Sequence, residues 1–347
     1  MISKICVRIY KKVIVTIRKY PTRITIYDRI GKGKTNPAGV GRTGKENRGK
    51  AKEMENCMLC PRECGVNRKK GEMGVCGQTA AIKAARAALH MWEEPCISGQ
   101  NGSGTVFFSG CNLGCIFCQN HNIATGKAGI EISIERLAEI FLELQEKGAN
   151  NINLVTAGHF VPQVVGALKM AKQQGLYLPV VYNTSSYEKV ETLRLLEGYV
   201  DIYLPDLKYF SSELSGKYSH AANYFEFASK AILEMHNQQP NLVWNGLLLK
   251  KGLIIRHLIL PGCRHDSIKI INWIAENLPS DSFMISLMSQ YTPDYNNNIY
   301  PEINRKITNF EYNSILNRII EFGLNGYSQD KTSASAEYTP DFNLEGI

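Results

Sequence analysis

Six short apolar, β-branched runs punctuate the chain, each followed by polar or glycine residues and then by apolar positions at helical spacing. They predict strands over residues 105–109, 151–156, 178–182, 201–204, 253–260 and 283–287. After the first, "SIERLAEIFLELQEKG" sets Ile134, Leu137, Ile140, Phe141 and Leu144 along one helical stripe, with Gly148 as its stop. "VPQVVGALKMAKQQG", "YEKVETLRLLEG", "YFEFASKAILEMHNQ", "DSIKIINWIAENL" and "NFEYNSILNRIIEFG" repeat the idea after the later strands. Strand and helix alternating in this way predict an α/β fold, a parallel sheet with helices outside. Periodicity alone leaves open whether the sheet is doubly wound or curved into a partial barrel.

Parallel barrels carry their chemistry on the loops after the C-terminal ends of their strands. Here those ends are polar. The second runs into "TAGHF", with Ala157 and Gly158; the third into "YNTSS", with Asn183 and Ser185; the fourth into "PDLK", with Asp206 and Lys208. Gly158 serves a turn or lets a ligand approach the backbone closely, and Asn183 and Ser185 taken alone are turn formers. Asp206 and Lys208 stand two apart, so on a strand they share a face; at the surface such a pair contributes little. Arg256 interrupts the apolar "GLIIRHLIL", where a lone charge is costly unless paired. A carboxylate suits its forked guanidinium. His257 faces the other way and is expected to pack.

Composition narrows the class. With 347 residues, 44% hydrophobic and 21% charged, the chain can bury a core and is ordinary for a globular protein. The net charge of +8 is misleading, because residues 1–53 hold 15 Lys and Arg against 3 acids, leaving 25 against 29 for the rest. That basic leader reads as disordered. The remainder is mildly acidic, which argues against a nucleic-acid partner. No run approaches the ~18 apolar residues of a membrane span, and ten cysteines without a signal-peptide pattern suit a reducing, cytoplasmic setting.

Seven of those cysteines fall in two clusters. "CMLCPRECGVNRKKGEMGVCG" holds Cys57, Cys60, Cys64 and Cys76, and "SGCNLGCIFCQN" holds Cys111, Cys115 and Cys118. Four thiols suit structural zinc or an iron–sulfur cluster, and spacing does not choose between them. Three thiols leave one iron of a [4Fe–4S] cube open, as a catalytic centre requires. The alternative recruits His121 as fourth ligand of a zinc knuckle. Cys6, Cys96 and Cys263 stand alone and read as small hydrophobes.

The pattern C-x3-C-x-aromatic-C, here Cys111, Cys115, Phe117 and Cys118, resembles the signature of radical S-adenosylmethionine (SAM) enzymes. The longer stretch "EEPCISGQNGSGTVFFSGCNLGCIFCQNHNIA", with "CMLCPRECGVNR" before it and "TPDFNLEG" after, resembles the iron–sulfur proteins related to pyruvate formate-lyase activating enzyme. The likeness covers roughly 54–347. It implies a partial (β/α)6 barrel over 101–327, a small Cys-rich metal-binding module over 54–100 and a tail over 328–347.

The resemblance also implies roles. Cys111, Cys115 and Cys118 hold the [4Fe–4S] cluster, and SAM chelates the open iron. Arg256 meets the SAM carboxylate, and Asp206 and Lys208 lie near the site of hydrogen abstraction. "TAGHF" replaces a Gly-Gly-Glu motif, so backbone at Ala157 and Gly158 takes over the SAM amino contact, with Asn183 and Ser185 nearby. Phe117 shields the cluster beside adenine, and Tyr291 stands where activating enzymes have a histidine. An electron donor of flavodoxin or ferredoxin type is implied, with a glycyl radical enzyme as possible protein substrate. A non-catalytic electron-transfer or zinc-binding protein is the alternative, and it would have no need of Asp206, Lys208 and Arg256 together.

Overall fold

The structure, a computed structural model, describes residues 54–293, 299–329 and 340–347. The basic leader and Cys6 lie outside the described residues. In chain order the strands are β1 (Ile82–His90), β2 (Ser103–Phe108), β3 (Ile130–Ile132), β4 (Ile152–Val155), β5 (Val180–Thr184), β6 (Ile202–Pro205), β7 (Val243–Asn245), β8 (Leu248–Leu258), β9 (Met284–Met288) and β10 (Gly326–Ser328). The helices are α1 (Pro95–Ser98), α2 (His121–Ala124), α3 (Ile134–Glu146), α4 (Val161–Gln173), α5 (Val190–Arg194), α6 (Ser212–Ser219), α7 (Tyr224–Gln238), α8 (Arg264–Asn277) and α9 (Asn309–Glu321).

The six expected strands are β2, β4, β5, β6, β8 and β9, adjacent in that order and parallel throughout. β10 adds a seventh parallel strand beyond β9. At the other edge β1 lies antiparallel to both β2 and β3. The result is a partial (β/α)6 barrel with extended edges. β1, "IKAARAALH", escaped the sequence reading because alanines give it no β-branched signature.

The two faces of the sheet bury different partners. One face, including Leu154, Tyr182, Tyr203, Ile255 and Leu287, packs with Leu137, Phe141, Leu168, Ile232, Ile271 and Ile315 of the helices. Each fully buried side chain of this kind stabilises the fold by roughly 1.5–3 kcal/mol. The opposite face carries Val181, Ile202, Leu204 and Ile254, and against it sit Cys96 and Ile97 of α1. α1 therefore plugs the concave side. Ser133 caps α3 by accepting from Arg136 N, and a reciprocal Thr308–Glu311 capping box starts α9.

Within the expected 54–100 module, β1 joins the sheet and α1 packs against its face. Ala87 N donates to Glu345 O at 2.7 Å and Leu344 N to Ala85 O at 3.2 Å, while Arg86 pairs with Glu345. Phe342 packs edge-on against Phe107, so residues 341–347 cover the face and edge of β1.

Candidate active site

β2 delivers the cysteine loop to the C-terminal end of the sheet. Gly110 and Gly114 both have positive φ, +87° and +73°, which lets the chain turn tightly on either side of Cys111. Burial and the neighbouring Cys115 and Cys111 push the Cys118 thiol up to about 12. Burial pushes Cys115 up to about 11, with Lys208 opposing and Cys111 reinforcing. The three sulfurs therefore share one pocket. Ser219 Oγ lies 3.0 Å from Cys115 Sγ, and Leu113 N donates to Cys111 Sγ at 3.4 Å.

Half-buried thiols with donors aimed at their sulfurs, as at Cys111 and Cys115, are suited to becoming thiolates when a metal displaces their protons. Among the described residues, no three Cys, His, Asp or Glu side chains are drawn together so as to cage a single ion. A cuboidal cluster, being larger, spreads its thiolates further. His121, the zinc-knuckle alternative, is exposed at the start of α2.

Beside the thiols, β5, β6 and β8 converge on a charged network. Arg256 Nε donates to Asp206 Oδ1 at 2.6 Å, Nη2 to Asn183 Oδ1 at 2.6 Å and Nη1 to Glu93 Oε2 at 3.4 Å. Lys208 Nζ donates to the other Asp206 oxygen at 2.7 Å, and Asn183 Nδ2 reaches Glu93 Oε1 at 3.3 Å. The Lys208, Asp206, Arg256 and Glu93 side chains are only 9–16% exposed. Burial pushes the Asp206 carboxyl up, but Arg256 and Lys208 together outweigh it and hold the group below its ordinary range. Burial works against the Lys208 ammonium; Asp206 and Cys115 overcome that and raise it. Glu94 is pushed up to about 7 by burial, against Arg256.

Arg256 was expected to find its anion in a ligand carboxylate. Within the protein it meets Asp206 and Glu93, 50 and 163 positions away in sequence. Nothing in a strand's periodicity announces a partner at that separation. His257, as expected, faces away, with Nδ1 against Leu207 O at 2.7 Å.

A second acid, also absent from the sequence reading, lies under "TAGHF". A Cβ on Gly158 would stand 2.5 Å from Glu188 Oε1, so the residue that needs Gly158 to be glycine is Glu188. Its Oε1 accepts from Tyr182 Oη at 3.0 Å and Thr184 Oγ1 at 2.7 Å, and its Oε2 is buried with no partner among the described residues. Burial pushes this carboxyl up to about 7. The motif carries no acid of its own, yet a carboxylate reaches it from the loop after β5. Here the backbone is strained as well: Thr156 and Ser186 have φ of +59° and +64°, unusual for non-glycine residues and more so for a β-branched one.

The remaining expected residues sort as follows. Ala157 is buried beside Gly158, and Ser185 offers its carbonyl to Tyr224 Oη at 2.8 Å. Phe117, in the cysteine loop, makes edge-on contacts with Tyr209 and Tyr291. The Tyr291 hydroxyl donates to Ile303 O at 2.8 Å. In the first cluster, Cys76 is pushed up by burial and, among other neighbours, by Cys57 and Cys64, and Cys60 likewise feels Cys76. All four of its sulfurs lie in one neighbourhood.

Comparison with known proteins bears on this arrangement directly. The family model for the radical SAM superfamily matches residues 105–259, which run from β2 through β8. An uncharacterized protein of Methanocaldococcus jannaschii is 32% identical over 282 residues, 78% of this chain and 76% of that protein. The chain belongs to the radical SAM superfamily. Among solved structures it is similar to a domain of pyruvate-formate lyase-activating enzyme from Bacteroides vulgatus, at 16% identity and a TM-score of 0.37, over 49% of this chain and 91% of that one. It is also similar to Streptococcus suis SuiB bound to S-adenosylmethionine, at 16% identity and a TM-score of 0.44, over 65% of this chain and 50% of that one. Membership brings SAM-dependent radical chemistry at an iron–sulfur cluster, and the thiol trio, with donors on two of its sulfurs and Lys208 beside it, fits such a cluster. Among the described residues, no helix is long and apolar enough to cross a membrane.

Sequence reasoning missed Glu93, Glu94, Glu188, Arg62 and Arg68. Glu93 and Glu94 sit just ahead of Pro95, outside any strand or helix period. The two arginines were passed over as part of a short cysteine-rich stretch.

Proposed function

We propose that the protein is a radical SAM enzyme whose cluster is held by Cys111, Cys115 and Cys118 and whose product radical takes hydrogen from a substrate in the barrel mouth. A backbone glycine of a glycyl radical enzyme is the substrate class to test first, with a cytoplasmic flavodoxin or ferredoxin as electron donor. When bound, the cluster and SAM supply one electron and a 5′-deoxyadenosyl radical. The chain's own residues do the rest. Cys111, Cys115 and Cys118 would hold the cluster with three thiolates from one loop, and Ser219 orients Cys115. Asp206 and Lys208, with Arg256 behind them, would set fixed charges beside a cluster held there, where they need little reorganisation. The buried surroundings of β5, β6 and β8 exclude water and stray hydrogen donors.

The observation that carries this reading is the convergence of Cys115, Lys208, Asp206 and Arg256 at one end of the parallel sheet. A passive electron carrier has no use for it. Anaerobically reconstituted protein should form 5′-deoxyadenosine from SAM when dithionite is supplied, and Cys115→Ala should abolish the product. A Cys115→Ala protein that turned over at the wild-type rate would overturn the assignment.

A further inference from the structure

Residues 54–80 hold one short 3-10 turn, Arg68–Lys70, and a small core of Met54, Cys57 and Leu59 packed with Cys64, Val66 and Ala80. A segment so short needs a staple. One lies to hand, because a Cβ on Gly74 would come within 3.0 Å of Cys64 Sγ and 3.6 Å of Cys76 Sγ. Arg68 gives an independent sign of it. The residue is 1% exposed, and its guanidinium donates to His159 O at 2.6 Å and to Thr79 O at 2.6 and 3.1 Å, with Cys57 Sγ at 3.9 Å. Among the described residues none of its hydrogen bonds reaches a carboxylate. A buried cation requires an anion nearby. Metal-bound thiolates would supply one beside Arg68, whose guanidinium lies 3.9 Å from Cys57 Sγ.

The same module grips the loops of the radical site. Arg62, between Cys60 and Cys64, donates from Nε to Asn112 O at 2.7 Å and from Nη2 to Leu113 O at 3.1 Å, inside the cysteine loop. It also reaches Ser219 O at 3.3 Å and His220 O at 2.5 Å, and Ser219 is the residue whose hydroxyl meets Cys115. Arg68 holds the carbonyl of His159 in "TAGHF", and His159 Nε2 lies 2.8 Å from Ser109 O. Gly110, next to Cys111, lies so close to Cys76 that a Cβ there would be 2.5 Å from the Cys76 carbonyl oxygen.

We propose that Cys57, Cys60, Cys64 and Cys76 bind a [4Fe–4S] cluster, which spreads its thiolates further than a single caged ion does, and that this centre fixes Arg62 and Arg68 against the loops of the radical site. Loading of the module then precedes and permits correct assembly of the three-cysteine centre. Arg62 is a positioning residue, acting through the backbone that presents Cys111 and Cys115. The inference rests on the reading above only for the identity of the three-cysteine centre.

Full-length protein purified anaerobically and loaded with iron, sulfide and zinc tests it. A variant with Cys111, Cys115 and Cys118 all changed to Ala should retain a cluster's complement of iron and sulfide; protein that holds zinc alone, or no metal, overturns the site. Cys60→Ser should lose that iron and sulfide and, with them, the SAM-induced change in the electron paramagnetic resonance spectrum of the reduced radical-site cluster. An unchanged SAM response overturns the coupling. Arg62→Met should keep the module's metal yet raise hydrogen exchange across residues 109–120, and Arg62→Lys, with a point charge in place of the fork, should not restore protection. Wild-type exchange in Arg62→Met would likewise overturn it. If wild-type protein shows both centres and the SAM-induced spectrum but forms no 5′-deoxyadenosine, the radical chemistry proposed above fails and the coupling stands.

Discussion

Glu188→Gln should stabilise the protein above neutral pH. The wild-type carboxyl is 3% exposed and burial moves it from 4.5 to about 7. At ~1.4 kcal/mol per tenfold change in proton affinity, that displacement corresponds to about 3 kcal/mol. Its sign follows from linkage. Below pH 4.5 the group is protonated in folded and unfolded chains alike, and the fold has its full stability. Between 4.5 and 7 the folded state holds a proton that the unfolded state releases, so stability falls as pH rises through the folded value. An amide is neutral throughout, and its oxygen can still accept from Tyr182 and Thr184. Urea unfolding under anaerobic conditions, followed by the fluorescence of the three tryptophans, should show little difference between the proteins near pH 4.5. Near pH 8 the variant should be ahead by up to about 3 kcal/mol. Parallel stability curves, or a variant that is weaker at pH 8, would show that Glu188 is not a buried acid held near neutrality.

Arg256→Met and Asp206→Asn should each cost about 3–5 kcal/mol of stability by leaving a buried charge unpaired; the double variant should cost less than their sum, by about 0.5–3 kcal/mol. Additive losses in the same unfolding assay would mean that the two residues do not form one unit. Gly158→Ala should cost about 1–3 kcal/mol through the clash with Glu188, and most of that cost should vanish when Glu188→Ala is added; a cost that persists places the strain elsewhere. Thr156→Gly should be neutral or stabilising by about 1 kcal/mol, because release of the +59° strain offsets the flexibility of glycine. A clear loss of melting temperature would instead give the Thr156 side chain a stabilising contact.

Much of the architecture was legible because it is local. The repeating strand–helix period is set by side-chain spacing along a few turns of chain, so the six parallel strands could be placed to within a few residues. Their polar ends could be named for the same reason. The thiol trio was legible too, since its spacing is confined to one loop. β1, β3, β7 and β10 were not. β1 is alanine-rich, β3, β7 and β10 span three residues each, and they are strands because a neighbouring edge supplies their hydrogen bonds. The second helix after β6, "YFEFASKAILEMHNQ", was read correctly, whereas α6 before it, polar and only eight residues long, carries no apolar stripe to betray it.

The sequence by itself determined which atoms could do chemistry: three sulfurs on one loop, four more upstream, and charged residues at strand ends. Folding decided what each of them faces. Arg256 meets carboxylates from β6 and from the segment before α1, Glu188 lies under a glycine from another loop, and Arg62 holds carbonyls about fifty and more than a hundred and fifty residues away. Such pairings depend on which strand ends converge when a sheet curves, a long-range geometric outcome with no local periodic trace. Distance along the chain is what hid them.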